Sequence, residues 1–236
     1  MTTRSTFSKK GETTDVDISS TTIRHYESRD NSDVLRMFTQ CHIDLIIPAF
    51  RRALKQPSNI SLLLVCGTVA YVITQSVMAV MLVMAVLAFV IYYACKMVYI
   101  DFIELMLNTE MADIEEHFLR PPGSCFWVAE ANGKVIATAG LKKTYEKPQT
   151  CKLTRVFVDP HYRRSGLGRK MMQEVLGFIE HNGYKTCVLD TTVLQVAAIN
   201  LYKKMGFRAC GQISFPGNTC VIFLSQVYLL KFERHF

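Results

Sequence analysis

The side chains best suited to chemistry lie between Leu153 and Gly168, where the chain reads Leu-Thr-Arg-Val-Phe-Val-Asp-Pro-His-Tyr-Arg-Arg-Ser-Gly-Leu-Gly. At its centre is Arg163-x-x-Gly166-x-Gly168, filled by Arg164, Ser165 and Leu167 and followed by Arg169. Before it, Val156-Phe157-Val158 reads as a short buried strand of β-branched and aromatic residues. Pro160 closes that strand, because proline has no N–H for a ladder bond. From Leu167 onward an apolar helical period begins. A strand, a basic glycine loop and a helix start therefore follow one another. The free N–H groups and positive dipole end of a helix N-terminus can hold phosphate. Glycine lets a bulky anion approach the backbone. Taken alone, the same residues are equally a plain strand-to-helix turn.

The elements that must position this loop can be read on either side of it. Residues 1–21, rich in Ser, Thr and Lys, read as a disordered tail with no signal-peptide core. Thr22 to Tyr26 reads as a strand. A helix follows from the Asp30-Asn31-Ser32 caps through Val34, Phe38, Cys41-His42 and Leu45, and Ile46-Ile47-Pro48 ends or redirects it. Met97 to His117 has helical spacing, with Ile100, Ile103, Met106-Leu107 and Met111 on one side and Asp101, Glu104 and Glu110 on the other. Pro121-Pro122-Gly123 breaks it. Asn132-Gly133 between Cys125–Ala129 and Val135–Leu141 marks a β-hairpin, and Tyr145 to Gln149 reads as a loop before a strand over 150–158. After the loop come a helix to Asn182-Gly183, a strand at 187–189, a helix over 195–205, and two closing strands at 207–213 and 219–231.

Between Gln56 and Cys95 there is no charged residue. One straight helix from Ile60 to Cys95 would be about 54 Å long, against a hydrocarbon core of ~30 Å. Two spans with a tight turn at Thr74-Gln75-Ser76 fit better than one tilted span or a buried helix pair. Arg51, Arg52 and Lys55 precede the run and Lys96 follows it, which places both ends in the cytosol for a hairpin. The net charge of +7 suits an anionic ligand or a membrane surface. No dense basic run with interleaved aromatics points to nucleic acid. The eight cysteines form no Cys-x-x-Cys and no zinc spacing, and read as small buried side chains, so no metal is expected.

The glycine loop together with Ala198-Ile-Asn-Leu-Tyr202-Lys-Lys-Met-Gly206-Phe207 resembles the GCN5-related N-acetyltransferases. The camello-like branch is nearer still, on Ala49-Phe50-Arg51, Glu110-Met-Ala-Asp-Ile114, Pro122-Gly-Ser-Cys-Phe-Trp-Val-Ala129 and Val196-Ala-Ala198. Arg164-Ser165 and Gly168 depart from that branch, where Gly, Lys or Gln, and Ala are expected. The resemblance implies an α+β fold, a mixed central sheet flanked by helices, with a membrane helical hairpin inserted. It divides the chain into a tail (1–21), a first strand and helix (22–55), a membrane insert (56–96) and a core (97–236). It implies an acetyl-CoA-dependent N-acetyltransferase, anchored in the endoplasmic reticulum membrane with its catalytic part in the cytosol. The expected acceptor is a small amine, with L-aspartate first, a cysteine S-conjugate or a protein lysine as alternatives, and a non-catalytic acyl-CoA-binding scaffold as the rival of another class.

On that reading, N–H groups from Arg164 to Arg169 hold the pyrophosphate, and Arg163, Arg164 and Arg169 neutralise it. Backbone groups at Phe157 and Val158 pair with the pantetheine arm, and an N–H there stabilises the developing oxyanion. Tyr202 is the candidate acid for the departing thiolate, with core packing as its other reading. For the base, Asp190 leads over Glu130, His161 and Glu146, and a water relay is equally open. Arg155, sharing a face with Phe157 and opposite Val156 and Val158, is the candidate cation for an acceptor carboxylate.

Overall fold

The computed structural model describes residues 21–144, 147–215 and 217–236. The expected tail, up to residue 20, and the candidate base Glu146 lie outside the described residues. Seven strands form one sheet: β1 (Thr22–His25), β2 (Cys125–Ala131), β3 (Lys134–Lys143), β4 (Thr150–Val158), β5 (Thr186–Thr192), β6 (Arg208–Ser214) and β7 (Tyr228–His235), in the order β1-β2-β3-β4-β5-β7-β6. Every neighbouring pair is antiparallel except β4 and β5. The Asn132-Gly133 turn supplies two positive φ values, 51° and 73°, and joins β2 to β3.

Helices cover both faces. Strand β2 shows why its sequence reads as one apolar run. Cys125, Trp127 and Ala129 face a core shared with α5 (Leu167–His181) and α6 (Val196–Lys204). Phe126 and Val128 face a second core under α1 (Asn31–Ile43) and the single π-helical turn Glu115–Leu119. A strand buried on both sides has no solvated face to alternate toward.

The apolar run folds as a helical hairpin, α3 (Pro57–Thr74) and α4 (Val77–Leu107). The turn falls at Gln75, whose left-handed φ of 49° stops α3, and Ser76, whose hydroxyl accepts from the Ala79 N–H and caps α4. Gly67 faces α4, where a Cβ would make an ordinary contact with Met84 Sδ at 3.5 Å. The separate helix expected over 97–117 is not formed as such. Helix α4 runs unbroken through Lys96 to Leu107, because the change in composition there is a change of surroundings and no glycine or proline interrupts the backbone. Its N-terminal half is exposed, with Met78 at 80%. Its C-terminal half packs Ile91, Cys95, Val98 and Tyr99 against α2 (Ile46–Ala53) and α7 (Thr219–Ser225). Pro48 therefore redirects the chain into α2.

Helix α7 also replaces part of an expected strand. The Asn218 side chain accepts from the Cys220 N–H at 2.9 Å and starts a helix; Gln226, at φ 53°, ends it; and β7 begins only at Tyr228. Asn59 Nδ2 donates to the Leu224 carbonyl at 2.9 Å and fastens α7 to the start of α3. The apolar residues of 219–225 satisfy a helical as well as a strand pattern, and this tertiary bond favours the helix. Two cysteines, Cys210 and Cys220, are exposed, against the expectation of burial, since β6 is an edge strand and α7 a surface helix.

Candidate active site

The sheet opens at the glycine loop. Strands β4 and β5 pair only from Thr150–Thr186 to Leu153–Leu189, and then both continue without each other. Strand β5 stays paired with β7 along its whole length, so β4 is the one that leaves. It leaves at a β-bulge: Thr138 faces Phe157 while Gly140 faces Thr154, so two residues of β4 stand opposite Ala139. Arg155 sits in the bulge with φ 55°, and the Thr138 hydroxyl donates to its carbonyl at 2.8 Å. A non-glycine residue held at positive φ costs ~1–3 kcal/mol and persists only where its surroundings enforce it. The opening is also why Val156 to Val158, expected to be buried, are half-buried.

The gap is a cavity of ≈ 270 Å³. One wall is apolar, from Phe102, Phe157, Phe215 and Leu229. The other is charged. Arg155, only 8% exposed, donates to Glu110 at 2.7 Å, and Lys142 reaches the same carboxylate at 3.0 Å. Lys152 pairs with Asp190 at 2.7 Å. Burial works against the charge on Glu110, and Arg155 and Lys142 outweigh it, holding the carboxyl below its ordinary range. Three cations against two carboxylates leave this wall positive. Arg155 gives Nη2 to Glu110 and Met106, and its Nε is sealed in the protein; its Nη1 has no partner among the described residues and is not sealed, so the guanidinium retains a donor that can be reached.

Strict alternation would place Lys152 and Arg155 on opposite faces of β4. The bulge brings both to the cavity, which is why neither Lys152 nor its cross-strand partner Lys142 stands out in the sequence as a site residue. Glu110, on the polar side of a helix by its spacing, lies in the connection after α4. His42, which keeps the core spacing of α1, also lines the cavity. No local signal marks either residue, because the chain folds back from distant segments to bring them here.

Of the candidate bases, Asp190 is in the cavity wall. Glu130 is bound to Arg24 on the β1–β2 pair, away from it, and His161 is exposed on the loop. Tyr202 projects from α6 into the cavity, buried to 5% exposure against Phe207 and Phe232. Burial pushes its phenol well above the ordinary value, so it stays protonated.

Beyond the bulge, Ala137–Val158 is a non-hydrogen-bonded pair, since the Asp159 N–H goes to Ile136 O at 2.9 Å. The Val158 N–H and C=O therefore point away from β3, into the opening, and Phe157's point to β3. Of the two residues expected to offer backbone to a pantetheine arm, only Val158 has its backbone groups turned to the opening; Phe157 turns its ring to the cavity. The loop is braced from within. Asp159 accepts from the His161 N–H, Ser165 Oγ donates to Tyr162 O at 2.6 Å, and Arg163 Nε donates to Val158 O at 3.0 Å. Arg164 and Gly166 take φ values of 66° and 90°. Gly166 offers no side chain to cap α5; the Leu167 N–H donates to Ser165 Oγ at 3.4 Å and the Arg169 N–H to Gly166 O at 3.0 Å, and the N–H groups of Arg164, Ser165, Gly166 and Gly168 have no partner among the described residues, which leaves them to an outside acceptor. Arg164 and Arg169 are exposed beside them with no ion-pair partner among the described residues. A Cβ on Gly168 would lie 3.3 Å from Leu201, so glycine seats α5 against α6.

A parallel pair splayed open beside a basic helix start with free loop N–H groups defines an acyl-CoA-type transferase site, and comparison with known proteins agrees. Residues 93–207 match the Acetyltransferase (GNAT) family. N-acetylaspartate synthetase of Danio rerio is 33% identical over 201 residues, covering 84% of this chain and 71% of that protein. Human N-acetyltransferase 8 is 31% identical over 197 residues, covering 82% and 86%. An acetyltransferase from Streptococcus agalactiae 2603 superposes with a TM-score of 0.56 at 15% identity, over 92% of this chain and 99% of that one, and shares the fold. This chain belongs to the GNAT family and is an acetyl-CoA-dependent N-acetyltransferase.

Proposed function

We propose that the enzyme is a membrane-anchored N-acetyltransferase acting on the amino group of a small acidic amino acid, with L-aspartate as lead acceptor. The observation that carries this reading is Arg155: a buried guanidinium in the cavity wall with an unused donor and net positive surroundings. A carboxylate beside it would gain charge-assisted hydrogen bonds. The relatives named N-acetylaspartate synthetase support the same acceptor. The apolar wall of Phe102, Phe215 and Leu229 favours, as a second reading, an amino acid with an apolar arm such as an S-conjugated cysteine.

When bound, acetyl-CoA supplies an acetyl group activated as a thioester. The free N–H groups of Arg164 to Gly166 and of Gly168, at the α5 start, receive the pyrophosphate, with Arg164 and Arg169 neutralising it and Leu167 anchoring the turn through its N–H to Ser165 Oγ. Arg163 braces the loop to Val158. The Val158 N–H faces the acetyl carbonyl and stabilises the negative charge that develops there. Tyr202 donates a proton to the leaving sulfur. Asp190 holds Lys152 in the acceptor wall, and the two act as one charged unit.

Membrane anchoring rests on the hairpin. In each apolar window only 11% is buried, whereas a core helix would be covered. Helix α3, with 18 residues, is about 27 Å long, close to one hydrocarbon thickness. Arg51, Arg52, Lys55 and Lys96 stand at the two outer ends of the hairpin, which orients both toward the cytosol and the acetyl-CoA there; the endoplasmic reticulum is the proposed membrane.

Purified enzyme in detergent, given labelled acetyl-CoA with aspartate, S-benzylcysteine and a lysine peptide, tests the acceptor. Transfer to aspartate is expected to be fastest. Transfer confined to the lysine peptide would overturn the reading. A C-terminal tag should be open to protease in sealed microsomes, and a protected tag would exclude the hairpin.

A further inference from the structure

We infer that His42 accepts the acceptor amine's proton, through an Nε2 that the fold leaves free and facing the reaction cavity. The inference rests on the acetyl-transfer reading of the cavity and adds the proton acceptor that Asp190, bound to Lys152, is poorly placed to be.

His42 lies on α1 with its ring among Phe38, Phe102 and Phe157, at centroid distances of 4.5, 5.2 and 5.3 Å. Its Nδ1 is 2.7 Å from the Phe38 carbonyl oxygen. A carbonyl only accepts, so Nδ1 carries the hydrogen, and in a neutral imidazole the lone pair is then on Nε2. Nε2 has no partner among the described residues and is not among the polar atoms sealed from solvent; His42 is part of the cavity wall. The three aromatic rings hold the imidazole rigidly. The same helical turn that fixes the ring thus fixes the tautomer and aims the base.

Arg155 also lies over Phe38, with its guanidinium carbon 5.3 Å from that ring centroid. Burial holds the imidazole down to about 4, the Phe38 carbonyl working against it and the Arg155 charge adding to it, so the ring is neutral at cytosolic pH and its Nε2 lone pair carries no proton. The other charged groups around this cavity are Glu110, Lys142, Lys152 and Asp190. A carboxylate bound at Arg155 offsets the nearest positive charge. His42 therefore becomes more basic when an acidic acceptor is in place.

The proton count closes. Nε2 takes one proton from the acceptor ammonium. The freed nitrogen lone pair forms the C–N bond to the acetyl carbon, and the C–S bond breaks with its electron pair on sulfur. The sulfur receives a proton from Tyr202, which recovers one from the nitrogen as the amide forms. The first proton leaves Nε2 for water.

The test is His42→Phe, which matches the aromatic surroundings, measured with whichever amine the enzyme takes best, so that the outcome does not depend on aspartate being the acceptor. Acetyl-CoA affinity and acceptor KM should hold within about threefold, while kcat falls ~100-fold or more at pH 7. From pH 7 to 9 the variant's rate should climb close to tenfold per unit, as solvent takes over deprotonation, and the wild-type rate should stay nearly flat. His42→Gln, which keeps a hydrogen-bonding side chain but no base, should show the same profile. A kcat within threefold of wild type, or a fall that pH 9 does not relieve, would overturn the inference. So would loss of acetyl-CoA binding in both variants, which would make His42 structural. Failure of the acidic-acceptor reading is separately visible, as Arg155→Met leaving all acceptors unchanged.

Discussion

Replacing Arg155 by Met removes the charge and keeps an unbranched apolar stem against Phe38, where the guanidinium now stacks. The left-handed φ of 55° is no harder for Met than for Arg, so the bulge itself is not the target of the change. The fold should tolerate it. Glu110 keeps Lys142 at 3.0 Å and is 35% exposed, so it is not stranded as a buried lone charge, and the stability cost should be about 1 kcal/mol. Binding is different. A hydrogen bond from the guanidinium to an acceptor carboxylate contributes ~1.5–3 kcal/mol, or roughly 10- to 150-fold in kcat/KM. That loss should fall on aspartate and spare an amine without a side-chain carboxylate, and the KM for acetyl-CoA should stay constant. The assay is initial-rate acetylation of aspartate and of S-benzylcysteine by both proteins at saturating acetyl-CoA. Both acceptors carry an α-carboxylate, so a neutral primary amine completes the set. An equal loss on all three, or unaltered aspartate kinetics, would refute the assignment of Arg155 to the acceptor.

Gly166→Glu places its Cβ in open space, so apart from ~1 kcal/mol of backbone strain the fold should survive. The added carboxylate at the α5 start should weaken acetyl-CoA at least tenfold in a calorimetric titration, and wild-type affinity would remove the loop from the donor site. Tyr202→Phe should leave acetyl-CoA affinity intact and lower kcat by ~100-fold, and normal turnover in a steady-state assay would take Tyr202 out of the proton path. His42 also predicts an acid response. In the unfolded chain it titrates near 6.5, and in the folded chain it stays neutral down to about 4. Its contribution is complete above pH 6.5 and is lost as pH falls toward 4, by ~3 kcal/mol in all. Between pH 7 and pH 5 the Tm of His42→Phe should therefore fall less than that of the wild type, and parallel falls would contradict the buried neutral imidazole.

The parts of the site that are contiguous in the chain are legible in the sequence itself. The strand-loop-helix from Val156 to Arg169 is local: proline and glycine punctuate it, and the phosphate-binding logic lies in a few successive N–H groups. The hairpin between α3 and α4 is equally legible, since length and the absence of charge bound it and Thr74-Gln75-Ser76 offers a turn where the structure has one. Legibility ends where a residue pattern satisfies two periods. Residues 219–231 fit one strand as well as a helix followed by a strand, and the Asn59 bond to Leu224 O comes from a segment far away in sequence. The passage from 95 to 97 reads as a boundary, yet α4 crosses it, because a helix responds to backbone breakers and not to the solvent around it.

The acceptor wall belongs wholly to the tertiary structure. Arg155 can be singled out by its place beside the loop, and Lys152 shares its strand, but Glu110, Lys142 and the neighbouring His42 lie on three other stretches of chain. Their convergence depends on one bulge that shifts the parity of β4 and on a sheet that keeps β5 with β7 and lets β4 go. Local sequence thus determined the proposed donor loop, because phosphate is bound by consecutive backbone groups. Only the folded chain decided the proposed acceptor site, because its side chains converge from many directions, and register, which no short segment encodes, sets which of them meet.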